Sequence, residues 1–215
     1  MEFDYSEPGY VKTLDREIID RVYEYYKTNA VDKESLHSTL SHNVLQSNYD
    51  EWNNDLADEM EYLKNNTFPF GEEINYHWVK SYDESQGVNG GFAGLHHDHY
   101  PWNVPEGKLL VVNSILLYRS DDLDGGDLVF AGDEFVNDDG TSEEKLNRRY
   151  DTRHVRHRLE ICKHNTPGDL LWWNEYTVHG VARVKKGKKV TLLISKFVDI
   201  DDKYFIKAKE GVDNV

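Results

Sequence analysis

The chain has 215 residues, 38% of them hydrophobic, which is enough for the core of one domain. Its 40 acidic residues outnumber its 25 basic ones and give a net charge of −15, which disfavours nucleic acid and anionic membranes as partners. Cys162 is the only cysteine, so an intrachain disulfide and a thiolate metal site are both excluded. No apolar run approaches the roughly 18 residues of a membrane span, and we expect a cytoplasmic protein.

Two amphipathic helices are predicted in the first seventy residues. After Thr13, apolar residues recur at spacings of three and four and predict a helix of roughly fifteen residues. A second helix is predicted from Ser47, with Asp50 closing a capping box. Its apolar stripe is Tyr49, Trp52, Leu56, Met60 and Leu63. Residues 29–43, between the two helices, are polar and unpatterned, and they predict an irregular connection.

After Pro69 the pattern changes from helical to extended. Residues 74–82 are rich in aromatics and predict a strand, and the glycines of residues 87–91 predict a loop. Residues 108–119 are almost continuously apolar, as expected for a strand that is buried on both faces. Gly125 and Gly126 predict a turn into a further short strand at residues 127–130.

The last third of the chain predicts more short strands. Residues 132–156 are dominated by charges and predict a surface excursion, with a substrate lid as an alternative. The strands are predicted at residues 158–162, 169–173, 178–181 and 189–198. Short strands after a pair of helices favour a mainly β fold with helical cover, either a sandwich or a closed jelly roll. We predict a single domain over residues 1–215, with helical N-terminal support at 1–70 and a jelly-roll core at 71–200.

One histidine-rich segment has the spacing of metal ligands. On a strand, His96 and Asp98 share one face, while His97 and His99 share the other. With His179 from a distant apolar strand, His96 and Asp98 would form the two-histidine, one-carboxylate set that leaves positions open on ferrous iron. A His-x-Asp alone arises often by chance, and its alternative is a polar surface strand. We expect His97 and His99 at the surface or beside the ligands; a zinc site that includes them is the alternative metal choice.

Lys189 follows His179 by ten residues and opens an apolar strand. A buried lysine must have its charge paired, because burying it alone costs several kcal/mol or shifts its pKa. An anionic ligand would provide that partner.

These motifs, in this order, resemble the 2-oxoglutarate and Fe(II)-dependent dioxygenases, and within them the prolyl 4-hydroxylase-like group. The family pattern is a His-x-Asp strand, a distant histidine, and a basic residue about ten positions after that histidine. The resemblance covers about residues 76–198. It includes the segment from Gly125-Gly126 to Phe130 and the Pro167-Gly168-Asp169-Leu170 turn. It implies a double-stranded β-helix, which is a jelly roll, with N-terminal α-helices.

The resemblance also implies a role for each matching residue. His96, Asp98 and His179 would bind Fe(II), and Lys189 would bind the far carboxylate of 2-oxoglutarate. Hydrogen bonds to this co-substrate are expected from Tyr82, Tyr118 and Thr191, with buried structural tyrosines as the alternative for the first two. Arg183 departs from the family pattern, which often has proline at this place, and it would face either the substrate channel or solvent. Trp102 would contact the substrate or belong to the core. The implied cofactors are Fe(II), 2-oxoglutarate and O2, with ascorbate as an optional addition.

The resemblance implies hydroxylation of a C–H bond. Lysine at position 189, in place of arginine, is typical of the collagen-type prolyl hydroxylases, so peptidyl proline is the first substrate expected (procollagen-proline 4-dioxygenase-like). The alternatives are a free amino acid or another small molecule as substrate, a non-catalytic cupin-like metal-binding protein, and a purely structural jelly roll. The expected partners are therefore a proline-containing peptide or protein, or a small molecule, with no nucleic acid and no membrane.

Overall fold

The protein was analysed as a computed structural model, which describes residues 9–29, 31–37, 40–46, 55–86, 90–96, 98, 104–131, 159–162, 164–175 and 177–199. Within them lie two helices, α1 (Arg16–Asn29) and α2 (Ala57–Asn66). The first strands are β1 (Gly9–Thr13), β2 (Val31–His37), β3 (Leu40–Gln46), β4 (Tyr76–Asp83) and β5 (Phe92–His96). The others are β6 (Lys108–Arg119), β7 (Leu128–Ala131), β8 (Leu159–Cys162), β9 (Asp169–Asn174), β10 (His179–Val181) and β11 (Lys188–Asp199).

The described strands pair antiparallel in two layers that β3 connects. A larger sheet has the order β1-β9-β6-β11-β4, and a smaller sheet has the order β5-β10-β7-β8. β3 joins them, because its residues 40–41 pair with β5 and its residues 43–45 pair with β4. This arrangement is a double-stranded β-helix with helical cover, as predicted.

The core lies on both faces of the larger sheet. On one face, α1 and α2 pack against Ile115, Leu192 and other strand residues. On the other face, Leu110 and Leu193 pack against Phe130 of the smaller sheet. β6 is therefore buried along nearly its whole length, which confirms the prediction from its continuous apolar sequence.

Both predicted helices are present in the described residues. α1 buries Ile19, Val22 and Tyr26, which lie on one face at helical spacing. Leu56, immediately before α2, is buried together with Met60 and Leu63, as the predicted stripe requires. The predicted start of this helix at residues 47–52, with its capping box, lies outside the described residues.

The predicted irregular connection at residues 29–43 is wrong. β2 and β3 form an antiparallel hairpin there, and β3 continues the pairing to β4 and β5. Backbone hydrogen bonds to neighbouring strands define such an element, and they require no apolar alternation in its sequence. Together with β1, this hairpin means that residues 1–70 contribute strands as well as helices. The predicted excursion at residues 132–156 lies outside the described residues.

Among the helices that the structure describes, none has the length and apolar character that a membrane crossing requires.

Candidate metal centre

The three predicted ligands lie where two short strands of the smaller sheet meet. β5 ends at His96 and β10 begins at His179, and these residues are direct partners in the antiparallel pairing. Because directly paired residues project from the same face of a sheet, the two imidazoles lie side by side. Asp98 follows two residues after His96. Its backbone N–H donates to the Glu175 carbonyl over 3.1 Å, which anchors the residue beside both rings.

The distances between the three side chains suit a single metal ion. Nε2 of His96 lies 3.7 Å from Oδ1 of Asp98, and Nε2 of His179 lies 3.4 Å from Oδ2. One donor atom from each residue lies within 4.8 Å of the other two. All three residues are buried, with 7%, 9% and 4% of their surface exposed for His96, Asp98 and His179. Two imidazoles and one carboxylate are a donor set typical of non-haem iron.

Backbone carbonyls select one tautomer for each imidazole. Nδ1 of His96 lies 2.7 Å from the Gly94 carbonyl, and Nδ1 of His179 lies 2.9 Å from the Thr177 carbonyl. A carbonyl only accepts, so Nδ1 carries the proton in both rings and the lone pair is on Nε2. Since both Nε2 atoms face Asp98, the rings are oriented as metal ligands before any metal binds.

The buried environment sets the charge of the centre. Burial lowers the pKa of His96 and of His179 below the usual value for imidazole, so both rings are neutral at neutral pH. Burial by itself raises the pKa of Asp98, but the two histidines and Lys80 lower it, and the net shift is downward. Neutral imidazoles and an ionised carboxylate are the forms in which these side chains bind metals.

Trp173 also belongs to this centre. Its Nε1–H donates to Oδ2 of Asp98 over 2.9 Å, and its ring lies 4.4 Å from that of His179 between centroids. Trp172, the preceding residue of β9, packs instead against Phe68. Strand alternation indicates that the two tryptophans face opposite sides, but not which of them faces the ligands.

A small cavity adjoins the metal centre. Its lining includes two of the three candidate ligands and three residues predicted to bind a co-substrate. These are His96, His179, Tyr82, Lys189 and Thr191. The structure therefore brings residues that are far apart in the sequence to one site.

Lys189 contributes a buried positive charge to the cavity. Only 1% of its surface is exposed, and Nζ donates to the Gly126 carbonyl over 2.7 Å. Burial lowers its pKa to about 8, an effect that Asp127 opposes and Arg119 reinforces, so the side chain is still mostly charged at pH 7. Gly126, whose carbonyl accepts the bond from Lys189, has a φ of +74°, and a Cβ there would lie 3.1 Å from Cγ2 of Val184. Glycine thus accommodates both the turn and the close approach of Val184.

Tyr82 and Thr191 place hydroxyl groups on the same wall of the cavity. Tyr82 is the direct partner of Lys189 in the β4–β11 pairing, and Thr191 lies two residues farther along the same face of β11. Burial, and then the negative charge of Asp98, raises the pKa of Tyr82, so its hydroxyl keeps its proton at neutral pH. Both residues therefore share one wall of the cavity with Lys189.

The structure does not bring Tyr118 to the cavity. Its ring stacks on Tyr23 of α1, with centroids 5.1 Å apart, on the helix-covered face of the larger sheet. The register between β6 and β11 skips Leu117, so Tyr118 pairs with Val190, which packs against the helices. This bulge reverses the alternation that places Ser114 on the cavity side. Simple alternation from Ser114 therefore predicts the wrong face for Tyr118.

Of the two residues predicted for the substrate, only Arg183 is described. Its guanidinium lies 4.1 Å from the centroid of the Phe92 ring, and Nη1 donates to the Gly90 carbonyl over 3.1 Å. Arg183 is not among the residues that line the cavity. Trp102 lies outside the described residues, as do His97 and His99.

Lys80 lines the cavity although the sequence analysis does not single it out. It lies on β4 two residues before Tyr82. Because residues two apart on a strand share a face, the predicted position of Tyr82 could have placed Lys80 on the cavity side as well. Its charge contributes to the lowered pKa of both Asp98 and His96. The cavity thus carries a second positive charge beside the metal centre.

No family model and no curated protein matches this sequence. Solved structures do match it. A prolyl-4-hydroxylase from Pseudomonas putida is 10% identical, with 90% of this chain and 93% of that chain covered and a TM-score of 0.51. A 2OG-Fe(II) oxygenase family oxidoreductase from Burkholderia pseudomallei is 15% identical, with 88% and 85% covered and a TM-score of 0.54. SnoN, a non-heme alpha ketoglutarate dependent epimerase from nogalamycin biosynthesis, is 13% identical, with 91% and 79% covered and a TM-score of 0.58. At these identities the likeness is one of fold, and this chain has the fold of the Fe(II)- and 2-oxoglutarate-dependent oxygenases.

Proposed function

We propose that this protein is an Fe(II)- and 2-oxoglutarate-dependent oxygenase that hydroxylates a C–H bond. The observation that carries the proposal is the presence of a buried lysine, Lys189, in the same cavity as a convergent set of two histidines and one aspartate. The histidine and aspartate set suits iron, and the lysine suits the free carboxylate of a dicarboxylic 2-oxo acid.

Each residue of the site has a role in this proposal. His96, Asp98 and His179 would hold Fe(II), and bound iron and 2-oxoglutarate would together supply the O2-dependent oxidation. The Lys189 ammonium binds the far carboxylate of 2-oxoglutarate. Thr191, on the same strand face, donates its hydroxyl to that carboxylate. These contacts orient the co-substrate while the walls of the cavity limit the access of water.

The cupin-like alternative accounts less well for Lys189. A protein that only binds a metal does not need a cation in the metal cavity, and burying a lysine there lowers its stability. Lys189 is 1% exposed and its ammonium has one hydrogen bond, to Gly126, among the described residues. A solvated Lys189 would have favoured the cupin-like protein, and the buried position favours the oxygenase.

We propose peptidyl proline as the substrate, on the grounds that Lys189 replaces the arginine of many relatives and that the fold is shared with a prolyl-4-hydroxylase. Lys80 supports a second candidate. A positive charge beside the metal centre suits a small substrate with a carboxylate, such as a free amino acid. We also propose a cytoplasmic location, because a chain with one cysteine is suited to a reducing compartment.

Turnover of 2-oxoglutarate tests the proposed reaction. Purified protein supplied with Fe(II), O2 and 2-oxoglutarate should form succinate, and His96→Ala or His179→Ala should abolish this activity. His77→Ala is the matched control, since His77 pairs with Ile194 on the helix-covered face of the larger sheet. Undiminished turnover in either ligand variant would contradict the assignment of the site.

The substrate is tested by mass spectrometry of proline-rich peptides incubated with the protein and both co-substrates. Gain of one oxygen atom on proline is the expected result. Oxidation of free amino acids in the same assay, without oxidation of the peptides, would favour the second candidate.

A further inference from the structure

Lys80 is a cation of the cavity to which neither the metal nor 2-oxoglutarate gives a role. It is half-buried and is the direct partner of Thr191 in the β4–β11 pairing. Because directly paired residues project from the same face, its side chain starts from the wall that also carries Tyr82 and Lys189. A lysine in such a position loses part of its hydration, which lowers stability unless other contacts compensate. Its presence in the cavity therefore calls for an explanation.

Lys80 and Lys189 occupy different ends of this wall. Lys189 pairs across the strands with Tyr82, whereas Lys80 lies two residues from Tyr82 on the side of Trp78. Two residues of a strand span about 7 Å. The Lys80 ammonium lies 5.8 Å from the centroid of the Trp78 ring, so the side chain extends farther from the Lys189 end. An anion held by Lys189 therefore leaves the Lys80 end of the cavity available to a second ligand.

The candidate metal ligands lie close to this second cation. His96 and His179 belong to the smaller sheet and line the same cavity as Lys80. Burial is the largest influence on the pKa of His96, Asp98 and His179, and the charge of Lys80 adds a smaller one that lowers all three. Since such an influence falls with distance, it agrees with an ammonium near the point where the three ligands converge.

The charges around the cavity indicate which ligand suits Lys80. The positive charges of Fe(II) and Lys189 would balance the carboxylates of 2-oxoglutarate and Asp98. Among the described residues that line the cavity, Lys80 is the other charged side chain, and it adds a positive charge that these groups do not balance. That charge favours a further ligand with one negative charge. A carboxylate fits this description better than a phosphate group, which carries nearly two charges at neutral pH.

We propose that Lys80 binds a carboxylate of the substrate, so that the protein oxidises compounds with a carboxylate close to the reacting C–H bond. This inference rests on the proposed function and narrows its substrate class. Two sources supply the same chemistry. One is the α-carboxylate of a free amino acid, and the other is a peptide carboxylate at the C-terminus or on an acidic side chain beside the target residue.

The test compares compounds that differ only in this charge. The standard amino acids are paired with their carboxamides, and short peptides ending in proline are paired with their amidated forms. A proline peptide with a neighbouring aspartate is paired with its asparagine counterpart. Each compound is supplied with Fe(II), O2 and 2-oxoglutarate, and succinate formation is measured. The acid of a preferred pair should stimulate turnover at least about tenfold more than its amide, and that pair identifies the source of the carboxylate.

Variants at position 80 then assign this preference to the lysine. Calorimetry without O2 measures binding of the preferred acid and its amide to protein loaded with Fe(II) and 2-oxoglutarate. Lys80→Met should weaken binding of the acid by about 10- to 100-fold and leave the amide unchanged. Lys80→Arg keeps the charge and should retain most of the affinity for the acid. Lys188→Met is the matched control, since it removes an exposed lysine from the start of β11, and it should bind the acid normally.

Binding of 2-oxoglutarate separates this inference from the proposed function. A loss of about tenfold or more in Lys80→Met would assign Lys80 to the co-substrate and overturn the inference. Amides as effective as their acids, a panel in which no acid stimulates turnover, or undiminished binding of the acid to Lys80→Met would also overturn it. None of these results affects the proposed function. An unmodified Fe(II)-loaded protein that does not bind 2-oxoglutarate would overturn both.

A second substitution guards against misfolding. If Lys80→Met does not fold, Lys80→Gln, which keeps a polar side chain without the charge, takes its place and should show the same selective loss of the acid. If neither variant folds, Lys80 has a structural role and the inference is overturned.

Discussion

At the scale of single residues, the Asp98 carboxylate is oriented by the indole N–H of Trp173, 2.9 Å away. Trp173→Phe keeps an aromatic ring beside His179 but removes this donor. Partners of metal ligands commonly contribute a factor of 10 to 100 to metal affinity, so we expect Trp173→Phe to bind Fe(II) about tenfold more weakly. Anaerobic competition with a coloured chelator measures this affinity.

Trp172→Phe is the matched control for that experiment. It makes the same substitution at the adjacent residue, whose ring packs on Phe68 away from the ligands. Its Fe(II) affinity should equal that of the unmodified protein. Equal affinities in all three proteins would mean that the hydrogen bond to Asp98 does not orient the ligand.

Lys189 makes co-substrate binding dependent on pH in an unusual range. Because burial lowers its pKa to about 8, the ammonium is present below that pH and is lost as the pH rises through it. If the anion binds only the charged form, affinity for 2-oxoglutarate should fall about tenfold between about pH 7 and pH 9. Calorimetry with the metal-loaded protein at several pH values measures the change.

The variant Lys189→Arg tests whether the pH dependence of 2-oxoglutarate binding comes from Lys189 or from another titrating group. A guanidinium stays charged throughout the range, so whatever the affinity of Lys189→Arg, it should vary little between about pH 7 and pH 9. A slope as steep as that of the unmodified protein would assign the titration to another group.

At the scale of elements, α2 ends against a cation supplied by β11. Nζ of Lys196 donates to the carbonyls of Lys64, Thr67 and Pro69 over 2.7, 3.0 and 2.9 Å. The charge also complements the negative end of the helix dipole. Lys196→Met keeps the chain length but leaves buried carbonyls without this donor. We expect the free energy of unfolding to fall by about 2 kcal/mol, measured by denaturant titration.

Lys188→Met tests whether any lysine of this strand would have the same effect. Lys188 is exposed at the start of β11, and its substitution should change the free energy of unfolding by less than about 0.5 kcal/mol. If the two variants are equally stable, the contacts of Lys196 with the end of α2 contribute nothing measurable.

Elements differ in how far their sequence predicts them. β6 is predicted with its correct ends, because burial on both faces requires a continuous apolar run. The hairpin of β2 and β3 was missed, since backbone pairing to β4 and β5 defines it. Within the site, alternation identifies the shared face of His96 and Asp98. The resemblance assigned Tyr118 to the co-substrate, but a bulge at Leu117, which has no signature in the sequence, turns Tyr118 to the other face of the sheet.

At the scale of the whole molecule, the net charge of −15 opposes the compact state. The described surface ion pairs, such as Arg16 with Asp20, act in the other direction, but exposed pairs contribute little individually. The excess of like charge should therefore dominate the response to salt. Raising sodium chloride from about 0.01 M to about 0.1 M shortens the screening length from about 30 Å to about 10 Å. We expect the thermal unfolding temperature to rise over this interval.

A charge-reduced variant tests whether screened repulsion is the cause. Glu106→Gln with Asp121→Asn removes two of the 40 acidic residues at exposed positions in turns. If repulsion between like charges limits stability, this double variant should be more stable than the unmodified protein at low salt, and the difference should shrink as salt is added. An unfolding temperature that falls with sodium chloride would mean that ion pairs outweigh repulsion, since screening weakens both. The sign of the salt dependence thus determines which of the two effects governs the stability of this acidic chain.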